Sequence, residues 1–199
     1  MFYTHNFNEY SKTLQLPEEF IPKNKLVPYE LLIILEGGEG VHGYPEIIVK
    51  INNTILFQGI IIKKQTLHFN IVPTEFIQKL TIDFTNKLDL DTQIIENQIT
   101  KDKFLKIESI CLDQVSIDSW KYFKYTPIYP TGYLAIVSTP DPVVYTDYLS
   151  FNGTVEIDFE VPVLSFLARN YYNEFSEAKI DITRINFKNL ANYFLSIYN

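Results

Sequence analysis

Glu46-Ile-Ile-Val-Lys-Ile51-Asn52-Asn53-Thr54-Ile-Leu-Phe-Gln-Gly-Ile60 is the stretch that decides the fold class. Two apolar, β-branched runs flank a pair of asparagines. Asparagine tolerates positive φ, which a two-residue turn between antiparallel strands requires. The stretch therefore reads as a β-hairpin.

Working outward, the same grammar repeats. Leu31 to Leu35 is a short apolar run ended by Gly37-Gly38. Thr66 to Ile71 alternates, with Leu67, Phe69 and Ile71 on one face and His68 and Asn70 on the other. Leu80, Ile82 and Phe84 alternate against Thr81, Asp83 and Thr85. That period of two buries one face of a strand. Phe104 to Ile117 holds one long strand or two, with Cys111 as a small core residue. Gly132 to Ser138, Val143 to Leu149 and Thr154 to Val161 complete the set, divided by Thr139-Pro-Asp-Pro142 and Asn152-Gly153. Short strands spaced by turns predict a mainly β chain, an antiparallel β-sandwich or jelly roll, over residues 29–184.

The flanks read differently. Residues 1–28, broken by Pro17, Pro22 and Pro28, predict an extended N-terminal arm. One or two short helices are expected near the other end. After Pro162, Leu164, Leu167, Ala168, Tyr171 and Phe175 share a helical face. In residues 185–199, Phe187, Leu190, Ala191, Phe194 and Ile197 do so again. A helix that short must pack its stripe on something, either its own sandwich or another subunit.

Composition narrows the function. Of 199 residues, 46% are hydrophobic, with 15 Phe and 14 Tyr, enough apolar surface to oppose chain entropy and argue against disorder. The net charge of −7, from 24 acidic and 17 basic residues, disfavours binding to phosphate backbones, so no nucleic-acid partner is expected. One cysteine allows no internal disulfide. The first residues carry no basic start and no apolar stretch, and no run is long enough to span a bilayer.

Few motifs carry chemistry. Gly38-Glu-Gly40-Val-His-Gly43 has the letters of a dinucleotide fingerprint, but Tyr44-Pro45 and a strand follow where a helix N-terminus is needed. It reads as a glycine loop. His5, His42 and His68 lack metal-ligand spacing, and no nucleophile elbow occurs, so no enzyme is expected. Asn52-Asn-Thr54 and Asn152-Gly-Thr154 read as turns. In Asn86-Lys-Leu-Asp89-Leu-Asp91-Thr92, aspartates at alternate positions can aim Asp89 and Asp91 at one Ca²⁺, with Asp83, Asp113 or Asp118 as further ligands. It is no EF-hand, because Ile94 and Thr100 fall at the glycine and glutamate positions. The alternative is a polar turn whose side chains bond their own backbone. Trp120, Tyr122, Phe123, Tyr125, Tyr129 and Tyr133 suit a sugar-stacking surface, a protein interface or the core.

Two blocks, Leu80 to Thr92 and Ile99 to Ile110 with Val115-Ser-Ile-Asp118, resemble small structural proteins of contractile-tailed marine phages. Those proteins look like calcium-dependent carbohydrate-binding modules. Tyr125 to Pro130, Phe151 to Val155 and Phe159 to Leu167 are similar to segments of the same group, with Phe166 and Leu167 where a tryptophan is expected. The resemblance implies a non-enzymatic virion component of the tail, neck or fibre-attachment region. It would be oligomeric, docked on other virion proteins and assembled in the host cytoplasm. The alternative it implies is a calcium-dependent carbohydrate-binding module for host attachment, with a glycan as partner. An assembly subunit should expose an apolar helix face. A lectin should show an aromatic platform beside acidic residues.

Overall fold

The computed structural model describes residues 26–96, 98–113, 115–117, 122–131 and 140–161. The expected arm, apart from residues 26–28, lies outside these residues. So do the 132–138 strand, Asp118, Trp120, Tyr133 and both helical stripes.

Within them the chain is a two-sheet antiparallel sandwich. In chain order the strands are β1 (Tyr29–Gly37), β2 (Glu46–Ile51), β3 (Thr54–Ile60), β4 (Lys63–Ile71), β5 (Ile77–Phe84), β6 (Gln93–Ile95), β7 (Gln98–Lys101), β8 (Leu105–Leu112), β9 (Val115–Ile117), β10 (Lys124–Ile128), β11 (Val144–Tyr145), β12 (Tyr148–Leu149) and β13 (Asn152–Glu160). One sheet runs β12-β8-β1-β4, with β9 also on β8. The other runs β11-β10-β13-β5-β2-β3. Strands β6 and β7 form a separate hairpin. The chain passes between the sheets at both sides, from β3 to β4 through buried Ile61 and from β11 to β12 through Thr146-Asp147.

The β2–β3 hairpin forms where expected. Ile51 pairs with Thr54 across Asn52-Asn53, and Asn52 takes φ 53°. The side chain of Asn52 also accepts the Lys79 N–H at 2.8 Å, tying the turn to β5.

Strict alternation builds the core. Leu31, Ile33 and Leu35 of β1, and Leu105, Ile107, Ile110 and Leu112 of β8, face inward from one sheet. Ile47, Val49, Leu80, Ile82, Phe84, Val155, Ile157 and Phe159 face them from the other. Tyr29 meets Phe159 edge-on, with ring centroids 5.5 Å apart. The outward side chains of the second sheet pair by charge: Lys50 Nζ lies 2.8 Å from Asp83 Oδ2, and Lys79 Nζ 3.2 Å from Glu156 Oε1.

Phe104 to Ile117 takes the second of the two forms expected of it, two strands turned at Asp113, whose carboxylate accepts the Glu30 N–H at 2.8 Å. Two expectations change. Val143 to Leu149 is two short strands in opposite sheets, β11 and β12, broken at a turn where the Thr146 hydroxyl accepts the Tyr148 N–H at 3.0 Å. Cys111 is half-buried and faces outward, not into the core. The β1–β8 register shifts between Ile34 and Leu35, opposite Glu108. An extra residue in one strand of a pair reverses the inward phase beyond it. Ile110 and Leu112 therefore turn in, and Cys111 turns out beside Ser109.

The Tyr29 hydroxyl is buried and has no hydrogen-bond partner among the described residues. Burial and the nearby Asp113 charge push its ionisation far above the ordinary tyrosine value. A buried hydroxyl without a partner costs about 1–3 kcal/mol. Tyr29→Phe is therefore expected to leave the chain as stable or up to about 1 kcal/mol more stable. Ile82→Ala, which opens a cavity between the sheets, is expected to cost about 2–5 kcal/mol. Chemical denaturation midpoints check both, and a destabilised Tyr29→Phe variant would reveal a hydroxyl partner.

Candidate functional site

Four connections meet at one end of the sandwich: the β1–β2 loop, the β5–β6 segment, the β7–β8 link and the β12–β13 turn. Polar side chains lock them. Asn86 accepts the Glu46 N–H at 2.8 Å and donates to the Tyr44 carbonyl at 3.1 Å. Asn152 accepts the Lys87 N–H at 2.7 Å and donates to the Lys87 carbonyl at 2.8 Å. Each asparagine thus satisfies backbone groups that the loops leave unpaired.

The centre of this end is an ion pair closed off from water. Asp91 is 0% exposed and Lys103 1% exposed, with Lys103 Nζ 2.8 Å from Asp91 Oδ2. Lys103 Nζ also donates to the carbonyls of Asn86 at 3.0 Å and His42 at 3.3 Å. Asp91 Oδ2 accepts the Leu88 N–H at 2.8 Å, closing the 3-10 turn Asp89–Asp91. Asp91 Oδ1 accepts the His42 N–H at 2.8 Å and faces His42 Nδ1 at 3.0 Å. Burial alone would raise the Asp91 pKa. The donors from Lys103, Leu88 and His42 outweigh it and hold the carboxyl well below the usual range. Gly40 is required here, since a Cβ on it would fall 2.6 Å from Lys103 Cβ and 3.0 Å from Asp91 Cβ.

This geometry does not suit the calcium pairing expected from Asp89 and Asp91. A carboxylate offers about four acceptor positions, and protein nitrogens occupy four on Asp91. Asp89 points to solvent on the same turn. Asp83 is engaged elsewhere, by Lys50 and by the Thr154 hydroxyl at 2.7 Å on the outer face of β5. Asp113 holds the start of β1. Among the described residues no three acidic, histidine or cysteine side chains gather as a metal site. His42 and His68 are both partnered, the latter by Glu30 at 2.6 Å.

The described residues of the aromatic run singled out in the sequence divide, with Tyr122 and Tyr129 half-buried. Phe123 and Tyr125 are buried, and the Tyr125 hydroxyl donates to the Phe151 carbonyl at 2.6 Å. A stacked pair with one exposed ring joins the β7–β8 link to β12. Tyr148 stacks on Phe104 with centroids 4.8 Å apart and an interplanar angle of 28°. Tyr148 remains 40% exposed. Phe104 sits directly on the backbone of Gly38, where a Cβ would collide with its ring at 2.1 Å. The Gly38 N–H donates to the Phe104 carbonyl at 3.0 Å. Partial burial, then the charge and hydrogen bond of Asp102, raise the Tyr148 pKa. Asp102 in turn accepts from Lys87 Nζ at 2.6 Å and the Thr92 hydroxyl at 2.5 Å. The site is a stacked aromatic pair beside a carboxylate held by two donors. Sequence reading missed Phe104, Tyr148, Asp102 and Lys103. The only signal was the glycine loop, whose close approaches imply bulky neighbours.

Removing one partner of the buried pair leaves a lone charge, so Asp91→Asn or Lys103→Met is expected to cost about 3–5 kcal/mol. The double variant should lose less than the sum of the two, as a double-mutant cycle would read. The lowered Asp91 pKa stabilises the fold above the unfolded value of about 3.9. That contribution fades as pH falls below it toward the folded value. Asp91→Asn should flatten this part of the acid-unfolding profile. Millimolar calcium added to metal-stripped protein should leave the melting temperature unchanged. A calcium-dependent rise abolished by Asp89→Asn would restore the cation site.

No family model and no curated protein matches the chain. Two solved structures are similar to it. One is vCBM60 in complex with galactobiose, 9% identical, with a TM-score of 0.42 over 64% of this chain and 96% of that one. The other is the selenomethionine form of vCBM60, from work linking two families of calcium-dependent carbohydrate binding modules by circular permutation. It is 8% identical, with a TM-score of 0.42 over 65% of this chain and 89% of that one.

Proposed function

We propose that the chain is a non-catalytic carbohydrate-binding module, and that it receives a sugar ring on Tyr148. The observation that carries this reading is the Phe104–Tyr148 stack with its exposed tyrosine beside Asp102. Sugar rings present C–H faces to aromatic rings and hydroxyls to fixed polar groups, and a half-exposed stacked ring meets the first need. A carboxylate held by Lys87 and Thr92 meets the second without having to reorder on binding, which keeps the entropic cost low. This reading does not use Asp91 as a calcium ligand, because its acceptors are already taken by protein donors.

A second reading, an assembly subunit of the virion type, draws on a different feature. The β6–β7 hairpin and the turn before it expose Leu88, Leu90, Ile94, Ile95 and Ile99. That many large apolar side chains on one projection suit a protein interface.

The two readings separate on one set of variants. Titration calorimetry and a glycan array, with galactobiose and a panel of neutral and acidic oligosaccharides, test the first. Tyr148→Ala is expected to weaken binding at least tenfold with the fold intact by circular dichroism, and Ile95→Lys to leave it unchanged. If the wild-type chain binds no sugar on the panel, or Tyr148→Ala binds as well as wild type, the carbohydrate reading fails. A self-association seen by light scattering and lost in Ile95→Lys would favour the assembly reading.

A further inference from the structure

The end of the sandwich opposite the Asp91–Lys103 pair carries a second exposed apolar surface. The connection from β4 to β5, Val72-Pro-Thr-Glu-Phe76, and the first residue of β5, Ile77, put three large apolar side chains at the surface. Val72 is 76% exposed, Phe76 47% and Ile77 66%. Both flanks of the chain join the sandwich here. Tyr29, the first residue of β1, pairs with Ile71. Glu160, the last of β13, pairs with Ile77, and the Val161 N–H donates to the Phe76 carbonyl at 2.8 Å. Val161, the last described residue, therefore lies against this surface.

We propose that residues 185–199 dock on Val72, Phe76 and Ile77 of their own sandwich. Three observations single out this occupant. The first is attachment: residues 162–184 span roughly 75 Å when extended, more than enough chain to fold back on a surface where it begins. The second is shape of composition: Phe187, Leu190, Ala191, Phe194 and Ile197 recur at helical spacing, giving an apolar stripe that needs cover. The third is charge. The β4–β5 connection and the end of β13 carry Glu75, Asp158 and Glu160, with Lys79 Nζ already 3.8 Å from Asp158, whereas residues 185–199 carry Lys188 and no acidic residue. A tethered segment also binds at a high effective concentration, so a modest apolar contact suffices.

Hydrogen exchange read by mass spectrometry on the full-length chain tests the proposal. Amides of 185–199 should be protected, to the same degree at all protein concentrations. Phe76→Ser with Ile77→Ser should speed their exchange at least tenfold while β1 and β8 keep theirs. Phe194→Asp should reciprocally speed exchange at residues 72–77, a second route that does not touch the sandwich. Protection of 185–199 unchanged by the surface variants overturns the proposal. So does a wild-type segment that exchanges freely. Protection that grows with concentration, together with a dimer in light scattering, would assign the stripe to a second copy and overturn it as well.

Discussion

A lysine and an aspartate leave water together where three loops cross, and the layout of that end of the sandwich follows from them. Burying either charge alone is prohibitive, so Asp91 and Lys103 hold each other in place. Each then fixes backbone it could not reach otherwise. Asp91 takes the amides of Leu88 and His42, and Lys103 takes the carbonyls of Asn86 and His42. Lys103 precedes Phe104, so the pair also sets where that ring lies, and through it Tyr148. The aromatic surface is thus positioned by electrostatics one residue away as well as by the packing of Phe104 on Gly38.

Much of the sandwich is legible in the chain because alternation is a local property. The 46–60 hairpin, the Leu80–Phe84 strand and the Thr154–Val161 strand each carry their own period and their own turn residues. What escapes is whatever depends on a neighbour. The phase reversal at Glu108 follows from the register with β1, a partner more than seventy residues earlier, and it alone sends Cys111 outward. Strand β10 hides inside an aromatic run, because Tyr125 and Phe123 look the same whether they line a core or a surface.

The site is less legible for the same reason. Asp89 and Asp91 look equivalent in sequence, yet a 3-10 turn sends one to solvent and the other inside. The polar segment does bond its own backbone, as one sequence reading holds, but it also recruits a lysine twelve residues on. Lys103 stands in a polar stretch that gives no sign of burial. Asn86 and Asn152 are similarly ordinary in sequence, and their use as substitutes for strand pairing appears only when two loops run side by side.

The position of β13 has a consequence for how the molecule forms. It lies between β5 and β10, so the latest described strand in the chain is central in its sheet. While a ribosome is still adding residues before Asn152, β5 has an unpaired edge along Ile77–Phe84, where alternate side chains are strongly apolar. Pairings this distant in sequence close slowly. The nascent chain therefore carries a sticky, half-finished sheet for much of its synthesis, and its yield in a cell will depend on how long that edge stays unclaimed.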